Sequence, residues 1–264
     1  MRTAAASLPG AEPPLVAENI RLSFGGLKAL DGAGFQVRPG IVTGLIGPNG
    51  AGKTTMFNVL SGLLRPDAGS VRFLGRRIDG ERPHRIARQG LVRTFQIARG
   101  FPRLSVFEHL MVYGARQPGE ALIATLFGSA AARRREAELA ERALAVAARL
   151  RLSPLLDHPV TALSGGQKKL LEIGRALMTE PRMILFDEPA AGVNPTLAEE
   201  IGDHLLRLAE DGLTVLIVEH DMALIERICQ RVVVMAQGRT LMEGGFDEAR
   251  ADRAVQDAYL GGRA

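Results

Sequence analysis

The run Gly47-Pro48-Asn49-Gly50-Ala51-Gly52-Lys53-Thr54 leaves this chain few folds to choose from. It fits the pattern G-x-x-x-x-G-K-[ST], with apolar Val42–Ile46 before it and a helical pattern after it. Glycines there let successive backbone N–H groups turn inward around a phosphate, and the N-terminus of a following helix adds positive potential. A strand must therefore enter the loop and a helix leave it. Lys53 would bring a point charge to the β/γ oxygens of a nucleotide, and Thr54 a hydroxyl for Mg²⁺. The alternative, a glycine-rich turn, would explain neither the lysine nor the flanks.

The remaining pattern extends that unit into a layer. Met56, Phe57, Leu60, Leu63 and Leu64 fall on one helical face. Ile41–Ile46, Met183–Phe186, Val215–Val218 and Val232–Met235 are continuously apolar, as strands covered on both faces are. Helical stretches between them predict an α/β fold with a mostly parallel sheet. Asn194-Pro195 reads as a helix N-cap followed by proline at the first helical position. Before the loop the chain differs: Val16–Phe24 and Gly34–Val37, with Ser70–Leu74 after it, read as short strands of an antiparallel sheet. The middle, about 105–177, reads as almost wholly helical. Ser105 and Glu108 have capping-box spacing there, and Arg133–Leu152 is rich in helix formers.

Bulk properties exclude several classes. The 264 residues, 46% hydrophobic, suffice for one large domain or two small ones. A single cysteine, Cys229, rules out an internal disulfide and fits a reducing compartment. Residues 1–14 are rich in Ala and Pro, carry only Arg2 as a basic residue and lack a long apolar region, so they read as a disordered leader rather than a secretory signal. Ala121–Ala132 is too short for the ~20 residues a bilayer span takes. The expectation is a cytosolic chain whose membrane contact runs through a partner. The net charge of +4 permits nucleic acid, anionic lipid or ordinary solubility, and Arg133-Arg134-Arg135 reads as a solvated helix face.

Asp187-Glu188 follows the apolar run Met183–Phe186. A carboxylate at the carboxyl end of a central strand lies beside the phosphate loop in open α/β sheets. Asp187 would hold Mg²⁺ through water and Glu188 would polarise an attacking water, since phosphoryl transfer needs positioning and charge neutralisation above all. His220 ends the run Leu213–Glu219 and belongs to the same row of strand ends, where it could reach a γ-phosphate. Phe24 lies far enough upstream to be a core residue or a ring stacked on adenine, a contact of about 1–3 kcal/mol by analogy with base–aromatic stacking. Leu163-Ser164-Gly165-Gly166-Gln167 is a glycine-containing loop before a helix.

These elements, in this order, resemble the ATP-binding-cassette (ABC) ATPases over residues 15–245. The resemblance implies a P-loop NTPase (RecA-like) core with an N-terminal antiparallel β subdomain, an inserted α-helical subdomain at about 97–178, and a C-terminal helical tail at 246–264. It implies roles position by position. Phe24 is similar to the adenine-stacking aromatic, and Gly47–Thr55, Thr55 included, to the Walker A loop. Gln96, in Arg93-Thr94-Phe95-Gln96, resembles the Q-loop glutamine, which touches Mg²⁺ and relays nucleotide state to the helical subdomain. Leu163–Gln167 resembles the signature, Asp187 the Walker B aspartate, Glu188 the catalytic base, Ala191–Asn194 the D-loop and His220 the switch histidine. In that family two ATPase units pack head to tail. Ser164, Gly165 and Gly166, with Gln167 beside them, would then meet a γ-phosphate bound by the partner.

A finer resemblance is to the larger ATPase subunit of branched-chain amino acid importers. Arg93–Gln96, Phe101–Leu104 with Ser105–Val112, Glu172–Leu177, Asp187–Pro195 and Tyr259-Leu260-Gly261 carry it, with an insert near 117–135. Ala191 replaces the commoner Ser, which leaves one cross-dimer hydrogen bond open. Gly244-Gly245-Phe246 departs from the expected Gly-Thr-Pro, with a bearing on the C-terminal helix rather than the catalytic site. The resemblance implies ATP and Mg²⁺ as ligands. It implies a second, related ATPase chain, two membrane permeases and, indirectly, a periplasmic binding protein as partners, at the cytoplasmic face of the membrane. Transporters for urea, amides, lipid or lipopolysaccharide stay open as alternatives. A nucleic-acid machine is not expected, because long coiled coils or a second cassette are missing. The intact Lys53, Asp187, Glu188 and His220 argue against a nonhydrolytic structural role.

Overall fold

The computed structural model describes residues 12–94, 101–115 and 130–260. They divide into two compact units, one of Met1–Arg93 with Arg182–Ala264 and one of Thr94–Pro181. From the amino terminus, β1 (Leu15–Phe24) and β2 (Leu27–Val37) form a hairpin. Strand β3 (Val42–Ile46) leads to helix α1 (Lys53–Leu60), followed by β4 (Ala68–Phe73), β5 (Arg76–Arg77), α2 (Pro83–Arg88) and β6 (Leu91–Arg93). The second unit contains α3 (Val106–Val112), α4 (Ala130–Arg149) and α5 (Gly165–Met178). The chain re-enters the first unit through β7 (Met183–Asp187), α6 (Pro195–Glu210), β8 (Thr214–Val218), α7 (Met222–Ile228), β9 (Arg231–Ala236) and β10 (Arg239–Gly244). Helices α8 (Phe246–Ala251) and α9 (Arg253–Leu260) follow.

The first unit carries two sheets. One is antiparallel, in the order β2-β1-β4-β5; the other runs β10-β9-β3-β8-β7-β6, parallel except where β10 meets β9. Their sequences explain the difference. Strands β3 and β8 are buried at every residue, as both-face coverage requires. Strand β1 mixes buried Leu15, Ala17, Ile20 and Leu22 with exposed neighbours and covers the core with one face. Those residues join Phe73, Leu216, Val233 and the Met56, Phe57 and Leu60 face of α1 in one apolar core. The helical pattern after the phosphate loop stops earlier than its spacing predicts. The Ser61 hydroxyl donates to the Phe57 carbonyl at 2.7 Å and Gly62 turns at φ 75°, so α1 ends at Leu60 and Leu63 is left exposed.

Local capping signals take the form their spacing predicts. In the second unit Ser105 accepts from the Glu108 N–H at 3.2 Å while Glu108 accepts from the Ser105 N–H at 2.7 Å. In the first, Asn194 caps α6 by accepting from the Leu197 N–H at 2.9 Å, with Pro195 at the first helical position. The second unit packs Leu110 of α3, Leu139, Ala143 and Ala147 of α4, and Leu171 of α5, all buried. Among the described residues no helix is long and apolar enough to cross a membrane.

Asp31 of β2 takes a 2.6 Å hydrogen bond from Arg239 of β10, linking the two sheets. That bond, with Lys28 and Arg21 nearby, holds the carboxyl below its ordinary value. A lowered folded value means the contribution is present above the ordinary aspartate pKa of about 3.9 and is lost as pH falls through the folded value. Arg239→Ala should therefore lower the urea midpoint slightly at about pH 7, Arg239 being well exposed. The gap to wild type should narrow at about pH 3.

Candidate nucleotide site

Strand register sets the site. Leu45 of β3 pairs with Val218 of β8, and Val218 pairs in turn with Asp187 of β7. The chain therefore leaves three neighbouring strands at one edge, into Gly47, Glu188 and Glu219 respectively. That edge is the carboxyl end of the sheet, where open α/β sheets bind ligands. An open cavity of ≈ 380 Å³ lies there, lined by Phe24, Leu27, Asn49–Thr55, Glu188 and His220 among others.

The phosphate loop is held from inside. Lys53 is only 6% exposed, and its ammonium donates to the Gly47 carbonyl at 2.7 Å and the Pro48 carbonyl at 3.0 Å. Burial lowers its pKa, opposed by the charge of Glu188. The loop also closes on itself, Ala51 N–H to Pro48 carbonyl at 3.2 Å, and on β10's turn, Gly238 N–H to Ala51 carbonyl at 3.0 Å. Gly47 has no room for a side chain: a Cβ there would lie 2.0 Å from the Met235 carbonyl oxygen. Thr54 and Thr55 open α1 on the cavity side. Phe24 is 51% exposed at the end of β1 and lines the same cavity, so it is not a core residue.

The strand-end carboxylates are also placed by neighbours. Asp187 Oδ2 accepts from Arg93 Nη2 at 2.7 Å. The Arg93 side chain is buried, donates from Nη1 to Asn58 at 2.7 Å and Ser61 at 3.3 Å, and lies over the Phe57 ring. In the sequence Arg93 stood only as the lead-in to Gln96, and its partner lies in a strand far along the chain. Gln96 itself lies outside the described residues. Glu188 has a positive φ of 48°, its N–H donates to the Val218 carbonyl at 2.9 Å, and its Oε1 lies 2.9 Å from His220 Nε2. His220, expected near a γ-phosphate, thus meets the expected water-polarising carboxylate. A further acid, Glu219, had no reading in the sequence beyond strand end; it is buried, and burial pushes its carboxyl up.

Ser164–Gln167 belong to the second unit. Ser164 caps α5 by accepting from the Gln167 N–H at 3.2 Å, and Gln167 accepts from the Ser164 N–H at 2.9 Å. Gly165 and Gly166 follow the cap, where helix N–H groups have no intrahelical acceptor.

A glycine-lined phosphate cradle at the carboxyl edge of a parallel sheet, with a buried lysine and a strand-end carboxylate pair, defines a P-loop nucleotide hydrolase core. The family model described as "ABC transporter" matches residues 30–191. The chain is 42% identical over 248 residues to a probable branched-chain amino acid transport ATP-binding protein LivG of Methanocaldococcus jannaschii, covering 92% of this chain and 96% of that one. It is 40% identical over 250 residues to the high-affinity branched-chain amino acid transport ATP-binding protein BraF of Pseudomonas aeruginosa, covering 94% and 98%. Among solved structures, the ADP conformation of MJ1267, an ATP-binding cassette of an ABC transporter, superposes with a TM-score of 0.82 at 40% identity, covering 95% of this chain and 100% of that one. This chain belongs to the ABC transporter family, as one of its ATP-binding cassettes, and is an ATPase.

Gly47→Ala would drive its methyl into the Met235 carbonyl and displace the loop. Affinity for a fluorescent ATP analogue should fall by at least tenfold, or about 1.4 kcal/mol. Thermal unfolding should shift down in parallel.

Proposed function

We propose that this ATPase powers import of branched-chain or related hydrophobic amino acids, at the cytoplasmic face of a membrane. Two permeases, a second and related ATPase chain and, indirectly, a periplasmic binding protein would complete the transporter. The observation that carries this reading is the match to LivG and BraF proteins over more than nine-tenths of both chains. Substrate would never touch this chain. The test is therefore ATPase stimulation of the purified transporter across a ligand panel. Stimulation by leucine, isoleucine or valine is expected; stimulation by urea, short amides or lipid alone would assign the substrate elsewhere.

In this reading Phe24 stacks on adenine, and Gly47, Pro48, Asn49, Gly50, Ala51 and Gly52 wrap the phosphates with backbone donors. Lys53 turns its ammonium from the loop carbonyls to the β/γ oxygens. Thr54 and Asp187 offer hard oxygen atoms of the type Mg²⁺ prefers, with Gln96 as a third contact. Among the described residues no cluster of three or more His, Cys, Asp or Glu could hold a metal alone, which fits an ion shared with nucleotide phosphates and water. Mg²⁺, when bound, supplies neutralisation of phosphate charge. Glu188 orients and polarises the attacking water, and His220, 2.9 Å from it, fixes the carboxylate and faces the γ-phosphate. Glu188→Gln should lower turnover about 10²–10⁴-fold, while ATP still draws the subunits into a stable dimer on size exclusion.

The signature residues act across that dimer, on nucleotide held by the neighbouring subunit. Among the described residues, a Cβ added at Gly165 would meet nothing within 4 Å. Among the described residues, then, no local packing calls for glycine at this position. Gly165→Ala should leave thermal stability and ATP affinity of the isolated chain unchanged. Hydrolysis by the assembled pair should fall about 10²-fold, since a contact made across the interface near the reacting phosphate is displaced.

A further inference from the structure

We infer that Glu219 is a positioning residue for hydrolysis, its carboxylate clamping the loop after β7 to the loop after β8 so that Glu188 and His220 meet. The inference rests on the roles proposed above for those two residues. Glu219 is 4% exposed. A carboxylate removed from water must be met by donors aimed at it. Here the donors are backbone groups from both loops. Oε1 accepts from the Ala190 N–H at 2.7 Å and Oε2 from the His220 N–H at 3.1 Å. Among the described residues no ion pair joins Glu219, and its charged neighbour, Glu188, repels it.

That arrangement is a poor device for stability. A buried charge facing a like charge is commonly improved upon by an apolar residue of similar volume. It is a good device for geometry, because one rigid group fixes two loops at once. Ala190 lies two residues beyond Glu188, and His220 is next to Glu219 in the chain. Glu188 itself sits at φ 48°, a conformation that persists in a non-glycine residue only where surroundings over-determine it. Its own N–H, bonded to the Val218 carbonyl, holds the root of the loop; Glu219 holds the loop on its far side. The 2.9 Å contact between Glu188 Oε1 and His220 Nε2 lies between these two anchors.

Glu219→Gln keeps the size but replaces one acceptor oxygen with an amide group that cannot accept, releasing one of the two loops. In the assembled transporter, kcat should fall about 10- to 100-fold, as for a misplacement of order 1 Å. KM for ATP should stay within about twofold, because the phosphate loop is untouched. The discriminating measurement is a double-mutant cycle with His220→Ala. In that background, Glu219→Gln should lower kcat by less than about threefold, because the pair it serves is already broken. Glu219→Asp, which keeps both oxygens and shortens their reach, runs the same cycle if the Gln variant does not fold. Unchanged kcat in Glu219→Gln overturns the inference, as does a fall that multiplies in full with that of His220→Ala or is matched by lost ATP affinity. Full activity in His220→Ala alone would instead remove the histidine's role, and the clamp's purpose with it.

Discussion

The hydrogen-bonded register of three parallel strands is the constraint from which the rest follows. Val218 sits level with both Leu45 and Asp187. Because of that alignment, the phosphate loop, the acidic pair and the histidine leave the sheet side by side. A slip of one residue in β8 would reverse the direction of its side chains and move His220 and Glu219 relative to Glu188. The full burial of β3 and β8 is thus more than core formation. The apolar runs that fill both faces also favour this alignment, since another register would disturb the close packing of their side chains.

Around this edge the protein keeps several charges out of water, each by a different means. Lys53 is held by the carbonyls of its own loop, Arg93 by Asp187, Asn58 and Ser61, and Glu219 by backbone N–H groups. Such groups are costly unless paired, and each is paired with atoms on a different stretch of chain. For Arg93 and Glu219 the result is that the surrounding dipoles and charges are set before any reacting group arrives, the condition under which electrostatic stabilisation of a transition state is strongest.

Much of this was legible in the sequence because it is local. The phosphate loop, the Ser105–Glu108 and Asn194–Pro195 caps, and the strand-end Asp187-Glu188 are patterns in which neighbours in sequence are neighbours in space. Phe24 reads equally as core or ligand contact from sequence, and its place at a hairpin end, half exposed, takes it out of the core. Leu63 and Leu64 continue the helical spacing past the end of α1, whereas Ser61 and Gly62 stop the helix by hydrogen bonding and backbone conformation. Arg93 and Glu219 were illegible for the opposite reason. The partners of Arg93, and Ala190 as partner of Glu219, lie tens of residues away, and nothing in a single sequence marks which distant group a buried charge will find.

The self-contained cap of α5 has a consequence for how nucleotide energy is used. Ser164 and Gln167 already bond to each other's backbone, so the start of that helix is ordered without a neighbour. An interface element that is ordered in advance loses little conformational freedom on association. In the dimer proposed above, the affinity gained on closing around nucleotide would then not be consumed in folding a loop. It would be available as mechanical work on whatever the subunits are fastened to.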